Sequence, residues 1–222
     1  MELLERSTLD KVLNLSLPLE TLSRFESAFQ GLAYQSEYCS FHYEEFLKSC
    51  EKHELAMMGK LDVESTTNPQ YYRIAFESHA YAFFRCLHAL IESVPYLLNI
   101  AMQINLDFES RHIGWNTIKK YSTKEKFGRG LDLVSQICDS DSYEELSHLV
   151  NVSKHRRIPR IDSGVLSRGD EGQVKAAFKE KDLCVNFRSY NIQSLMVTIH
   201  DELHPLLLKL VNEFIDFHAH KS

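Results

Sequence analysis

The sequence predicts a mainly α-helical protein: a bundle of long antiparallel helices with a small β-hairpin inserted before the last helix. Three observations carry that expectation. First, from Tyr71 to Asn105 the apolar residues Phe76, Ala80, Phe83, Leu87, Leu90, Val94, Leu97, Ala101 and Ile104 recur at alternating spacings of three and four, which is one face of a helix. Second, a similar pattern runs from Leu19 to about Leu61, and the two are joined by a polar stretch containing Ser65-Thr-Thr-Asn-Pro69. Long helices joined by a short polar connection lie antiparallel. Third, the period changes over residues 158–190, where short apolar runs alternate with charged, glycine-containing breaks, and returns to helical from Asn191 to about His218.

Taken in order, Leu3 to Leu15 predicts a short helix ended by Pro18, packed as a lid. Thr21 is the expected cap of the next helix. The helix over Tyr71–Asn105 is expected to be the spine of the domain, kinked at Pro95, with Tyr81, Arg85, His88, Glu92 and Asn99 on its polar face. Leu106 to Ser122, which holds Trp115, reads as a loop or short helix. Thr123 should cap a stretch with Phe127, Leu131, Val134 and Ile137 inward, and Ser142 with Glu145 has the pattern of a capping box for a helix from Tyr143 to about Lys154. Ile161, Val165, Val174, Ala176 and Phe178, then Leu183, Val185 and Phe187, alternate over short runs, the pattern of a small antiparallel hairpin or meander. The last helix places Ile192, Leu195, Ile199, Leu203, Leu206, Leu210, Phe214 and Phe217 on one face.

Composition narrows the function classes. At 222 residues and 44% hydrophobic, the chain can bury a core and is expected to form a single domain over 1–222. A formal net charge of -6 disfavours non-specific coating of nucleic acid, so any phosphate contact has to be a local basic patch. The 5 cysteines are scattered singly, which fits reduced thiols in a cytoplasmic protein. The charged N-terminal residues do not resemble a signal peptide, and no apolar run reaches the ~18 residues that a membrane span needs. There is no glycine-rich phosphate loop, nucleophile-elbow serine or strand of interleaved aromatic and basic residues. No cofactor and no resident metal are expected.

The strongest local signal is Leu149-Val-Asn-Val-Ser-Lys-His-Arg-Arg157, where an amide, an imidazole and three cations gather at a helix end before Pro159. His155 is suited to proton transfer near neutral pH, while Lys154, Arg156 and Arg157 can hold a phosphate. The same cations also offset the negative end of the helix dipole, worth about 0.3–1 kcal/mol each. Arg85, His88 and Glu92 form a second set, spaced by three and four on the spine, either a structural network or a surface facing a ligand or a partner. His200 and His204, one turn apart, have a spacing that suits a metal ion, with His79 or His88 as a possible third ligand; otherwise they are two surface histidines beside a core helix.

The run Leu149-Val150-Asn151-Val152-Ser153-Lys154-His155 resembles the Leu-Arg-Asn-x-x-x-His motif of the HEPN superfamily, with Val150 where that motif carries arginine. Uncharacterised bacterial branches show a related Asn-x-x-Lys-His-Arg pattern after a spine helix like Phe84-Arg-Cys-Leu-His-Ala-Leu-Ile-Glu92. The resemblance covers about residues 70–157 and the last helix. It implies a homodimer of helical bundles and metal-independent RNA cleavage in which a histidine moves the proton and an arginine steadies the phosphate. Asn151 and His155 match; Val150 cannot bind phosphate, so Arg156 or Arg157 would have to substitute, or cleavage is degenerate. The expectation is therefore an RNA- or nucleotide-associated protein with degenerate or weak ribonuclease chemistry. The alternatives are a non-catalytic helical partner-binding protein and a helical-bundle metalloprotein.

Overall fold

A computed structural model describes residues 18–61, 68–121, 129–155, 175–177 and 189–219 of the chain. The architecture is helical: α1 (Leu19–Met57), α2 (Pro69–Met102), α3 (Trp115–Tyr121), α4 (Gly130–Cys138), α5 (Asp141–His155) and α6 (Ile192–Ala219). The expected short helix over Leu3–Leu15, the Thr123 cap and most of the 62–70 connection lie outside the described residues.

The long helices α1 (39 residues) and α2 (34 residues) run antiparallel and set the length of the bundle, roughly 60 and 50 Å at ~1.5 Å per residue. Their pairing is written in side chains along the seam: His53 Nδ1 donates to the Pro69 carbonyl at 3.0 Å, Phe46 meets Phe76 edge to face, and Tyr43 packs on Phe83. At the opposite end Arg24 donates to Glu109 at 2.8 Å and lies over the Phe108 ring. Helix α6 closes the core against α2, α4 and α5. One cluster of buried side chains runs through all of these helices, including Phe25, Leu32, Phe84, Leu98, Ile137 and Phe214.

Helix ends follow local chemistry. Helix α1 stops at Met57 because Gly59 takes a left-handed φ of 65°, which lets Lys60 donate to Leu55 and Gly59 to Ala56, closing the last carbonyls. That is four residues short of the expected Leu61. Thr21 does not cap α1: it is buried inside the helix, and Pro18 precedes the first turn. Asn68 caps α2, its side chain accepting from Gln70 N–H at 3.0 Å, with Pro69 in the first turn, where a missing N–H costs nothing. At the far end of α2 Gln103 sits at φ 51°, and Asn99 clamps the chain that follows. The amide of Asn99 donates to the Asn105 carbonyl at 3.1 Å and accepts from its N–H at 2.9 Å.

Helix α5 begins two residues before the expected Tyr143. Ser140, not Ser142, caps it, accepting from Tyr143 N–H at 3.1 Å, while Ser142 is buried and donates to the Glu202 carboxylate on α6. Ser140→Ala should therefore cost about 1 kcal/mol in denaturant unfolding. A change below about 0.3 kcal/mol would contradict this cap.

The mainly helical class stands, but the β-hairpin insertion over 158–190 is corrected. Among the described residues the only extended pairing is three rungs, Lys175–Ala177 against Ser189–Asn191, and the second of these runs directly into α6. The expected Leu183–Phe187 run lies outside the described residues, and among the described residues there is no further strand. The physical reason is length: a lone two-stranded ribbon is marginal, and the described pairing has only three residues in each strand. The polar face of α2 is also narrower than expected. Tyr81 and Asn99 are buried, leaving Arg85, His88 and Glu92 on the partly open side.

Free thiols occur at Cys39, Cys50, Cys86 and Cys138, and burial pushes each up, Cys50 to about 12 and Cys138 to about 11. No helix among the described residues is long and apolar enough to cross a membrane.

Candidate functional site

Two sets of residues that lie far apart in the sequence meet where the middle of α2 packs on α5. Arg85, His88 and Glu92 rise from α2 at spacings of three and four, so they project from one side of it. Each finds a partner on α5. The Arg85 guanidinium donates through Nη2 to the Ser153 carbonyl at 3.2 Å, which places a cation on the negative end of α5. His88 stacks on Tyr143, ring centroids 6.4 Å apart and 12° from parallel. Glu92 accepts a hydrogen bond from the Tyr143 hydroxyl. Arg85 and Glu92 do not bridge to one another, as an ion pair around His88 would have required; they grip opposite ends of α5.

Burial lowers the His88 pKa, with Lys154 acting in the same direction and Glu92 opposing them, so the ring is neutral at pH 7. Burial first, and the Glu92 carboxylate second, raise the Tyr143 hydroxyl above its ordinary value. Tyr143 was missed in the sequence, because nothing in its spacing marks it as the partner of two residues fifty positions earlier.

The last turn of α5 carries the basic motif. Asn151, Lys154 and His155, at spacings of three and one, are exposed on one side of the helix end. Val150 is 1% exposed and faces the core with Leu146 and Leu149. The position that matches the motif arginine therefore points inward, away from Asn151 and His155. Arg156 and Arg157 lie outside the described residues. At this helix end Arg85 of α2 holds the Ser153 carbonyl, and Asn151, Lys154 and His155 stand exposed on α5, groups of the kind that bind an anion.

His200 and His204 are not two surface histidines. His204 is 3% exposed and shares a 2.9 Å hydrogen bond between its Nε2 and the Ser36 hydroxyl of α1. Burial, aided by the neighbouring His200, pushes its pKa down to about 4. The His200 ring stacks on it at 4.9 Å and meets Phe83, while His200 Nδ1 lies 3.1 Å from Asp201. A cavity of about 430 Å³ opens beside the pair, lined by Pro205, Lys209, Asn212 and Glu213. Neither His79 nor His88 joins them as a third ligand: His79 contacts His42, and His88 contacts Tyr143. Among the described residues no three His, Cys, Asp or Glu side chains converge as a metal set.

Fold and site together define a mainly α-helical bundle with a basic helix end braced by α2. The chain matches no known protein family, no curated protein and no solved structure.

Proposed function

We propose that this chain is a HEPN-like helical bundle that holds a phosphate of RNA or of a nucleotide at the end of α5, with cleavage chemistry that is degenerate. The observation that supports this reading is the exposed set Asn151, Lys154 and His155 at the end of α5, a helix end whose Ser153 carbonyl is held by Arg85 of α2. Arg85 already engages the Ser153 carbonyl, so the negative end of the helix is offset and the cations beyond it are left to a ligand. The burial of Val150 supports binding over cleavage, because no side chain at that position can reach a phosphate held by Asn151 and His155. In this reading the protein acts in the cytoplasm as a homodimer, and no metal takes part in the phosphate contact.

The test is fluorescence polarisation with a short single-stranded RNA at fixed salt, comparing the native chain with Lys154→Ala/His155→Ala. Each charge-assisted hydrogen bond is worth about 1.5–3 kcal/mol, so the double substitution should weaken binding by roughly tenfold or more. Cleavage should be absent in both. Equal binding by the two chains, or none by either, removes the proposal.

A second reading, a non-catalytic partner-binding protein, draws on a different surface. Tyr34, Tyr38 and Phe41 recur on α1 at spacings of four and three and are 49%, 53% and 54% exposed. Three large aromatic side chains left open in one row favour a protein contact there. The RNA titration separates the two readings, since this one expects no RNA binding and no effect of the basic residues beyond stability.

A further inference from the structure

The seam between the two longest helices holds a pair of imidazoles that neither reading above uses. His42 on α1 and His79 on α2 point their Nδ1 atoms at each other across 3.0 Å. Both residues are partly exposed. The Phe41 ring contacts both, edge-on to His42 at 5.2 Å and to His79 at 6.1 Å. Within the pair as it stands, one ring donates its Nδ1 proton and the other accepts it.

That geometry is also a chelate bite. Two nitrogens 3.0 Å apart, each at ~2.0–2.1 Å from a shared ion, subtend about 95° at the metal. This is close to the right angle of a tetragonal or octahedral site and short of the tetrahedral angle that structural zinc prefers. Imidazole nitrogen suits copper, nickel and zinc, and affinity for such sites rises from nickel to copper.

We propose that His42 and His79 form a two-imidazole site for a tetragonal divalent ion, Cu(II) or Ni(II), that clamps α1 to α2. The exchange balances without an added reactant: the donor ring moves its proton from Nδ1 to Nε2, both Nδ1 lone pairs turn to the ion, and each ring stays neutral. Among the described residues no third His, Cys, Asp or Glu side chain converges on the pair, so the remaining coordination positions belong to water or a small ligand.

The test uses Ni(II) alone, which does not oxidise the free thiols, titrated calorimetrically into the full chain and into His42→Asn and His79→Asn. Asparagine places an amide near the Nδ1 position and can keep a hydrogen bond to the remaining histidine, but it is a poor ligand for this ion. The native chain should take up one equivalent and gain thermal stability with it, and each variant should bind at least tenfold more weakly with no gain. Uptake that persists unchanged in both variants, or no uptake by the native chain, overturns the site. Melting curves recorded without metal separate loss of the ligand from loss of the fold.

Discussion

Phe76→Ala should lower the unfolding free energy by about 3–5 kcal/mol, as truncations of fully buried aromatics do. Phe76 is entirely buried on α2 and is held from α1 on two sides, with Phe46 edge-on at 6.4 Å and His53 at 5.3 Å. The loss combines the transfer free energy of the ring with the cavity left between two helices whose backbones are tied nearby by the His53–Pro69 hydrogen bond and so relax little. Against a total stability of roughly 5–15 kcal/mol for a domain, this is a large fraction. Urea unfolding followed by circular dichroism measures it. Phe76→Leu, which keeps most of the volume, should cost much less, and equal losses for the two would show that the seam is not packed this way.

The second large effect is on acid stability and comes from His204. The folded chain holds this ring neutral, with a pKa pushed down to about 4, whereas an unfolded histidine titrates near ~6.5. A lowered folded value means that protons bind the unfolded chain more readily. The contribution is fully present above pH ~6.5 and is lost as the pH falls through the window down to about 4. At ~1.4 kcal/mol per unit, that window amounts to about 3 kcal/mol. The cause is the burial of the ring among the helices, with its Nε2 tied to Ser36 and the His200 ring stacked on its face. Unfolding free energies measured between pH 7 and 4.5 should fall more steeply for the native chain than for His204→Gln, and the difference between the two slopes isolates this residue from the carboxylates and from His88. Parallel slopes would remove the assignment.

Much of the bundle was legible before any coordinates. The three-four spacing of Phe76, Phe83, Leu87 and Leu97 marks one wide apolar stripe, and burial of that stripe is what α2 does. The chain also announces its breaks, though the residues that act as caps were misread. Asn68-Pro69 and Gly59 are strong local signals of a helix start and a helix stop, and Ser140 and Ser142 are equally good caps until burial selects Ser140 for the helix end and sends Ser142 to Glu202.

The candidate site was legible only in pieces. The basic run at the end of α5 and the set Arg85, His88 and Glu92 each stood out, but their meeting through Ser153 and Tyr143 depends on how α2 crosses α5. The histidines show the limit most clearly. The spacing of His200 and His204 suggested either a metal pair or two surface histidines, and the fold instead buries His204 against Ser36 and sets His42 opposite His79.

What the chain alone fixes is the long helices over 19–57, 69–102 and 192–219 and the apolar stripe of each, because helical period is a local property of neighbouring residues. What the tertiary structure decided is which polar groups meet. Contacts such as His42 with His79, or Arg85 with Ser153, join positions tens of residues apart, and their distances are set by the packing of whole helices rather than by any spacing along the chain.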